Sequence, residues 1–433
     1  MSQSVPQAAT RAAAQAATQA RRSAIQLLDQ ILGEGRLLSE CLSAGMLDKL
    51  PPEDRARAQR LALETLRGME RADRLLDKHL RKNPPLMVRN ALRLGTVELA
   101  HGAASHGVVN AMVEIIGKHR RHGQLKGLVN AVLRKMAEEV PVEWNRLRVP
   151  RLPKWLRAPL VQAWGAPAVA GMELAQFTGA PLDISGKPGV DLAALGGQML
   201  ATGSVRLDNA GQVSGLPGYD AGDWWVQDAA AAIPARVLNA QPGEAVIDLC
   251  AAPGGKTLQV AAAGADVTAC DLSEGRMARV RENLERTGLS ATLIVGDALE
   301  QAGQYDAVLL DAPCSATGTM RRHPDLPHAK DGSEFGALIE LQAQMLAHAW
   351  GLVKPGGRLV YCTCSLLPDE GECQVEEALD MFEDMSVNRE ALLLPGVDPA
   401  WVTEEGGLRL RPDFWADLGG MDGFYIACLQ KAA

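Results

Sequence analysis

The chain has 433 residues, 47% of them hydrophobic and 22% charged, with eight cysteines and a formal net charge of −8. That length exceeds one typical domain, so two or three are expected. No window approaches the about 18 uncharged apolar residues of a membrane span, and no apolar core with a cleavage site marks a secretion signal; a cytoplasmic protein with thinly spread, free thiols follows.

The charge is unevenly distributed. Residues 1–150 carry 24 Lys and Arg against 15 Asp and Glu, a balance of +9, leaving 20 against 37, or −17, for the remainder. This implies one part that holds a polyanion and another that does chemistry, with a merely solvated basic face as the plainer alternative.

Taken in order, residues 1–20 are alanine-rich and free of acids and aromatics, and are expected to form a disordered leader. From Arg21 the period becomes helical: Ile25, Leu27, Leu28, Ile31 and Leu32 share one face and Gly33 ends it. Further amphipathic runs at 53–67, 70–82, 86–103, 108–120 and 125–138, broken by Pro51-Pro52 and Pro84-Pro85, predict an all-helical domain over 21–145. Basic residues gather at Lys118-His119-Arg120-Arg121-His122 and Arg134-Lys135, which suit either phosphate contacts or charges near helix ends. A small α/β extension is expected over 146–225, where Trp155 and Trp164, at helical spacing with Leu156 and Leu160, read as core.

The stretch Val246-Ile247-Asp248-Leu249-Cys250-Ala251-Ala252-Pro253-Gly254-Gly255-Lys256-Thr257 is an apolar strand breaking into a glycine turn and reopening as a helix. Such a turn presents free amides and a positive helix end at the carboxyl edge of a parallel sheet, where nucleotide-like ligands sit. It matches neither GxGxxG nor GxxxxGK[ST], which disfavours a dinucleotide or a P-loop triphosphate. Strands at 266–270, 291–295 and 307–310 then each end in an acid, Asp271, Asp297 and Asp311. Asp271 lies 16 positions after Gly255, about the offset of a ribose-binding acid in a βαβ unit. Asp297 is expected beside the adenine and Asp311 beside the reacting group.

After Asp311-Ala312-Pro313-Cys314-Ser315-Ala316-Thr317-Gly318-Thr319 comes a helix, then a strand at 358–361 leading into Cys362-Thr363-Cys364-Ser365. With CAAPGGKT, GD at 296–297, RRHPDL after the Pro-Cys motif, Gln227-Asp228 and the terminal DGFYIACL, the chain resembles S-adenosylmethionine-dependent RNA cytosine-C5 methyltransferases of the RsmB (Fmu/Sun) type. The resemblance spans nearly the whole chain. Its front half resembles the NusB-like RNA-binding domain of that family at Asn90-Ala91-Leu92-Arg93-Leu94-Gly95 and Gly127-Leu128-Val129-Asn130-Ala131-Val132-Leu133-Arg134.

The resemblance implies a multidomain protein: an all-α NusB-like domain, the small α/β linker domain, and a Rossmann-like methyltransferase core over 226–433. In that core, 424–429 is the antiparallel edge strand that marks methyltransferases off from dehydrogenases. It further implies that S-adenosyl-L-methionine is held by Cys250, Ala251, Ala252, Pro253, Gly254, Gly255, Lys256, Asp271, Asp297 and Asp311. Cys364 is the implied nucleophile, Cys314 the thiol that assists release, and Asp311 the acid on the cytosine N3 and N4 edge. The implied substrate is 16S ribosomal RNA, unassembled or partly assembled, and the protein a monomer.

Where the family's linker domain carries a strand read as basic-apolar-Asn, this chain has Asp183-Ile184-Ser185, which speaks against an RNA contact there. The attacking thiol must ionise more readily than a free one, and Lys256, Arg321 and Arg322 are candidate sources of positive field. The segment 321–330, bracketed by Gly318, Gly332 and Gly336, suits a flap closing over RNA. Cys362, Cys364 and Cys373 lack a fourth ligand at zinc-finger spacing, so no metal is expected. The rival functions are a transfer RNA methyltransferase of the same chemistry, a non-catalytic RNA-binding assembly factor, and a Rossmann oxidoreductase.

Overall fold

The computed structural model describes residues 4–208 and 211–433, with the side chains of the first helix from residue 15. The chain forms two compact units. One comprises Met1–Arg157, Gln176–Gly179 and Arg322–Asp331, the other Ala158–Ala175, Ala180–Arg321 and Gly332–Ala433.

The first unit is helical: α1 (Ser4–Glu34), α2 (Leu38–Ser43), α3 (Pro52–Leu76), α4 (Leu86–Ala100), α5 (Ser105–Gly117) and α6 (Lys126–Glu143). The stretch expected to be a disordered leader is helical from Ser4, and residues 1–3 lie outside the described residues. Its alanines are strong helix formers and its one proline, Pro6, stands in the first turn, where a missing N–H costs nothing. Pro52 opens α3 and Pro85 caps α4, as the proline breaks predict. Ile25, Leu27, Leu28 and Ile31 are fully buried with Leu75, Leu92 and Leu94. Polar pairs fix the helices around that core: Arg21 donates twice to Glu98, at 2.7 and 2.8 Å. Arg93 forks onto Asp73 at 2.8 and 2.7 Å, and Asn90 Nδ2 donates to Asp29 at 2.8 Å.

The second unit begins in α7 (Lys154–Thr178), which is broken at Gly165, where φ is 80°. Four short antiparallel strands follow, in the order β2-β3-β1-β4: β1 (Leu182–Gly186), β2 (Gln198–Met199), β3 (Val205–Leu207) and β4 (Trp224–Val226). Residues 158–175 and 180–225 cluster in the same compact unit as the chemistry-bearing sheet. Asp183 is fully buried and takes a forked pair of 2.7 Å bonds from Arg206, which also donates to Leu418 O and Gly420 O. The departure at 183–185 is thus an internal ion pair.

The large sheet contains β5 (Ala245–Leu249), β6 (Asp266–Asp271), β7 (Thr292–Val295), β8 (Tyr305–Asp311), β9 (Val353–Thr363), β10 (Met385–Val387), β11 (Leu408–Leu410) and β12 (Phe424–Lys431). Its order is β10-β12-β9-β8-β5-β6-β7, with β11 also paired to β12. Strands β5 to β9 are mutually parallel and β12 runs antiparallel to β9. β12 is not the sheet edge, because β10 and β11 pair with its outer side.

Helices α8 (Ile233–Leu238), α9 (Gly255–Ala262), α10 (Glu274–Thr287), α11 (Leu326–Ala329), α12 (Phe335–Gly351) and α13 (Glu372–Met381) complete the chain. Alternation along the strands feeds two cores. Val246, Ala307, Leu309 and Val360 pack with α8, while Ile247, Leu249, Val308, Leu310, Leu359 and Tyr361 pack with α12 and α13. The chain leaves β5 toward β6 on one side and returns to β8 on the other, so the crevice beyond the carboxyl ends of β5 and β8 is the ligand position of such a sheet.

The segment expected to form an RNA flap is packed into the helical unit instead. Asp325 is buried and accepts from Leu38 N at 2.8 Å, Trp155 Nε1 donates to Pro327 O, and α11 packs on α1. Burial and nearby Arg93 push His328 down to about 4.

Candidate active site

The glycine turn after β5 is built by two unusual backbones. Cys250 has φ of 63°, and Gly254 has φ of 103°, a conformation that favours glycine. Ala251 N bonds Cys270 O and Gly254 N bonds Ala251 O, closing the turn before α9 opens at Gly255. No side chain caps α9, so its first-turn amides are left without a capping side chain, as the N-terminus of a ligand-binding helix is.

Asp271 ends β6 with 2% exposure and accepts from Ala252 N at 3.1 Å, Ser273 N at 2.9 Å and Arg276 at 2.8 Å. Beyond it stands Leu272, 72% exposed, and Val295 at the end of β7 is also exposed. Asp297 follows as an exposed turn residue whose Oδ1 accepts from Leu299 N at 2.9 Å. A buried acid thus stands beside two exposed apolar side chains at the ends of the neighbouring strands β6 and β7.

On the other side of β5, Lys256 Nζ donates to Asp311 Oδ2 at 2.6 Å and lies 5.2 Å from the Phe424 ring centroid. Burial works against the lysine charge, but Asp311, Cys362 and Asp248 outweigh it and hold its pKa above the ordinary value. Cys362, paired in register with Asp311, donates its thiol to Asp311 Oδ1 at 3.5 Å. Both carboxylate oxygens of Asp311 therefore have fixed partners. Behind them Asp248 is fully buried, takes the Thr257 hydroxyl at 2.5 Å, and is pushed up by burial to about 7.

Cys314 and Cys364, on the loops after β8 and β9, meet with their sulfurs 3.5 Å apart. Both are partly exposed. The hydrogen bond to Cys364, then burial, then the charges of Cys364 and Glu370 raise the Cys314 thiol well above its ordinary range. Burial and three neighbouring carboxylates likewise push up Cys250, and burial first holds Cys270 at about 11.

Two of the expected sources of positive field are engaged elsewhere: Lys256 serves Asp311, and Arg321 is clamped between Asp228 and Asp422. Trp164 lies under Arg409 and Arg411 and donates to Leu366 O at 2.8 Å, so it is half-buried structure and no free stacking platform.

The loops are stitched to each other. Gly318 N donates to Cys364 O and Gly423 N to Gly318 O, and a Cβ on Gly318 would stand 2.1 Å from Gly423 O. Only glycine permits that approach, which explains why the Pro-Cys motif and the terminal DGF each carry one. Sequence reasoning missed Glu370, whose carboxylate joins both cysteine loops. Its partner Ser315 is 55 positions away, so no local pattern reveals the pairing; the one hint was an acid five residues beyond Ser365.

A parallel sheet with an antiparallel β12 and a nucleotide crevice beside paired thiols defines a methyltransferase of the Rossmann-like class. Residues 235–430 match the 16S rRNA methyltransferase RsmB/F family model and residues 18–138 the NusB family model. The ribosomal RNA small subunit methyltransferase B of Vibrio cholerae serotype O1 is 33% identical over 95% of this chain and 97% of its own length. The protein of that name from Pseudomonas syringae pv. tomato is 34% identical over the same shares. The crystal structure of a methyltransferase homologue from Pyrococcus horikoshii, 27% identical, superposes with a TM-score of 0.52 over 63% of this chain and 93% of that one. The chain belongs to the ribosomal RNA small subunit methyltransferase B family, enzymes that depend on S-adenosylmethionine.

The residues present fit that cofactor. Uncapped α9 amides suit a carboxylate, the Asp271 carboxylate suits a ribose diol, and exposed Leu272 and Val295 suit a flat purine. No helix among the described residues is long and apolar enough to cross a membrane.

Proposed function

We propose that this chain, acting as a cytoplasmic monomer, methylates carbon 5 of a cytosine in 16S ribosomal RNA through a covalent bond from Cys364 to carbon 6. The observation that carries this reading is the pair of thiols 3.5 Å apart at the ends of the neighbouring strands β8 and β9, next to Asp311.

Carbon 5 of cytosine is too weak a nucleophile to be alkylated directly. Addition of the Cys364 thiolate to carbon 6 makes carbon 5 enamine-like. S-adenosylmethionine, when bound, supplies an electrophilic methyl group. The residues to hold it are Cys250, Ala251, Ala252, Pro253, Gly254, Gly255 and Lys256 of the turn, with Asp271 on the ribose, Asp297 near the adenine and Asp311 near the reacting end. Asp311, held by Lys256 and Cys362 before any substrate arrives, orients the N3 and N4 edge and favours cytosine over uracil. A base then takes the carbon-5 proton, the bond to carbon 6 breaks, and the Cys314 thiol donates a hydrogen bond to the departing Cys364 thiolate. The target base must be unpaired or flipped to reach these groups, which favours RNA that is not yet fully assembled. Bisulfite sequencing of total RNA with and without the gene tests the reading; a 16S position that loses its protection supports it, and an unchanged 16S map overturns it.

Asp271→Ala should weaken S-adenosylmethionine binding by about 1.5–3 kcal/mol, the range for hydrogen bonds to a charged group. Arg276, whose side chain is 59% exposed, swings into water when the ribose takes its place; unchanged affinity by calorimetry would refute the ribose assignment.

Lys118, Arg120, Arg121, Lys126, Arg134 and Lys135 are all exposed at and after the α5–α6 connection, where Lys118 pairs with Glu114. Replacing Arg120, Arg121 and Arg134 by Ala in the full chain should weaken RNA binding evenly across sequences. The slope of log affinity against log salt should flatten by about 0.7–0.9 for each phosphate no longer neutralised. A slope equal to the wild type would leave the basic surface as solvated charge only.

A further inference from the structure

Glu370 is 0% exposed and has no cation on its carboxylate among the contacts that hold it. Four donors surround it instead. Ser315 N at 2.9 Å and Gln342 Nε2 at 3.0 Å reach Oε1, while the hydroxyls of Ser315 and Ser365 each reach Oε2 at 2.5 Å. Ser315 follows Cys314 and Ser365 follows Cys364. The Glu370 carbonyl completes the tie, accepting from Tyr361 Oη at 3.0 Å and Thr363 Oγ1 at 2.9 Å on the strand that leads into Cys364.

We propose that Glu370 is a positioning residue of the reaction: its carboxylate locks the Pro-Cys loop to the Thr-Cys loop and stands against the Cys314–Ser315 peptide, so that Cys314 keeps its proton and turns it as a hydrogen bond toward the Cys364 sulfur. This rests on the assignment of Cys364 as nucleophile. A Cys314 held as a thiol donates S–H to the Cys364 sulfur 3.5 Å away, which stabilises the thiolate both when it attacks and when it leaves. One proton stays on Cys314 throughout, and the carbon-5 proton goes to a separate base, so the two thiols do not compete for either role.

The charged and titratable groups around the pair agree with this direction. Tyr361 on β9 is raised well above its usual value, chiefly by burial and then by Cys314 and Glu370. Arg409 on β11 is committed to Glu372 on α13 and to Ser365 O. Lys256 on α9 and Asp311 on β8 neutralise each other. Glu370 therefore touches both cysteine loops with no ion-pair partner among the described residues.

The test is pH-dependent alkylation of the full chain by iodoacetamide, without RNA, with each cysteine quantified by peptide mass spectrometry. In the wild type Cys364 should react at lower pH than Cys314. Glu370→Gln keeps the shape and lets the two serine hydroxyls turn to accept from the amide, so the loops stay in place while the charge is lost. Its Cys314 profile should move down by about one pH unit, tenfold in thiolate at fixed pH. Ser315→Ala, which disturbs the same loops but keeps the charge, should not move Cys314 down.

An unmoved Cys314 profile in Glu370→Gln overturns the role of Glu370 while leaving Cys364 as nucleophile, provided Cys364 still reacts first. Equal downward shifts in Glu370→Gln and Ser315→Ala make the effect structural and overturn it too. Should Glu370→Gln not fold, the wild-type profile decides alone: a Cys314 that ionises before Cys364 overturns both the proposal and the nucleophile assignment.

Discussion

Cys364→Ala is expected to lose all methylation and all covalent RNA complex, because no other group at the site can add to carbon 6. Cys314→Ala is expected to behave differently. Addition and methyl transfer still proceed through Cys364, but the departing thiolate has lost the S–H that stood 3.5 Å from it. A protein–RNA adduct that survives denaturation should accumulate, and turnover should fall by about 10²–10³-fold, the range for removing one preorganised hydrogen-bond donor from a developing charge. A denaturing gel of each variant incubated with RNA and S-adenosylmethionine gives the answer. A slow-migrating band from Cys364→Ala and none from Cys314→Ala would exchange the two roles. The double variant should give no band, since the step that creates the adduct is absent.

The parts of this site legible in the sequence are those whose signal is local. A β5 strand running into Cys250–Lys256, acids closing β6 and β8, and cysteines just past β8 and β9 are each readable within a dozen residues, because a strand end and the loop after it are contiguous in the chain. The helical first unit was legible for the same reason, its prolines standing at helix starts. The remainder depended on pairs far apart. Asp183 looks like a missing RNA contact until Arg206 is seen to fork onto it, and Arg321 looks like a field for a thiolate until Asp228 and Asp422 take it. The glycines around 321–330 suggested a flap because glycine marks backbone freedom, yet Asp325 and Pro327 are bonded to Leu38 and Trp155. Residues 4–20 show the opposite pull, since low complexity and lack of acids suggest a leader while the alanines carry strong helix propensity.

Arg321 carries the largest expected effect on stability. Its side chain is fully buried, with Nε 2.6 Å from Asp422, one terminal nitrogen 2.6 Å from Asp228, and the other donating to Gly419 O at 2.8 Å. Asp228 opens the path into α8 and Asp422 precedes β12, so one guanidinium joins the two ends of the catalytic core. Removing one partner of a buried ionic cluster costs about 3–5 kcal/mol, because the charges left behind stay uncompensated. Arg321→Met leaves two such carboxylates close together. The melting transition of this unit should fall by about 6–20 °C, at about 2–4 °C per kcal/mol for a domain of this size. Arg321→Lys should recover only part, since an ammonium cannot make the planar fork that spans both acids. The triple change Arg321→Met, Asp228→Asn and Asp422→Asn should recover more, because it removes the stranded charges themselves. A melting temperature for Arg321→Met within about 2 °C of the wild type, less than about 1 kcal/mol, would show that the cluster does not hold the core together.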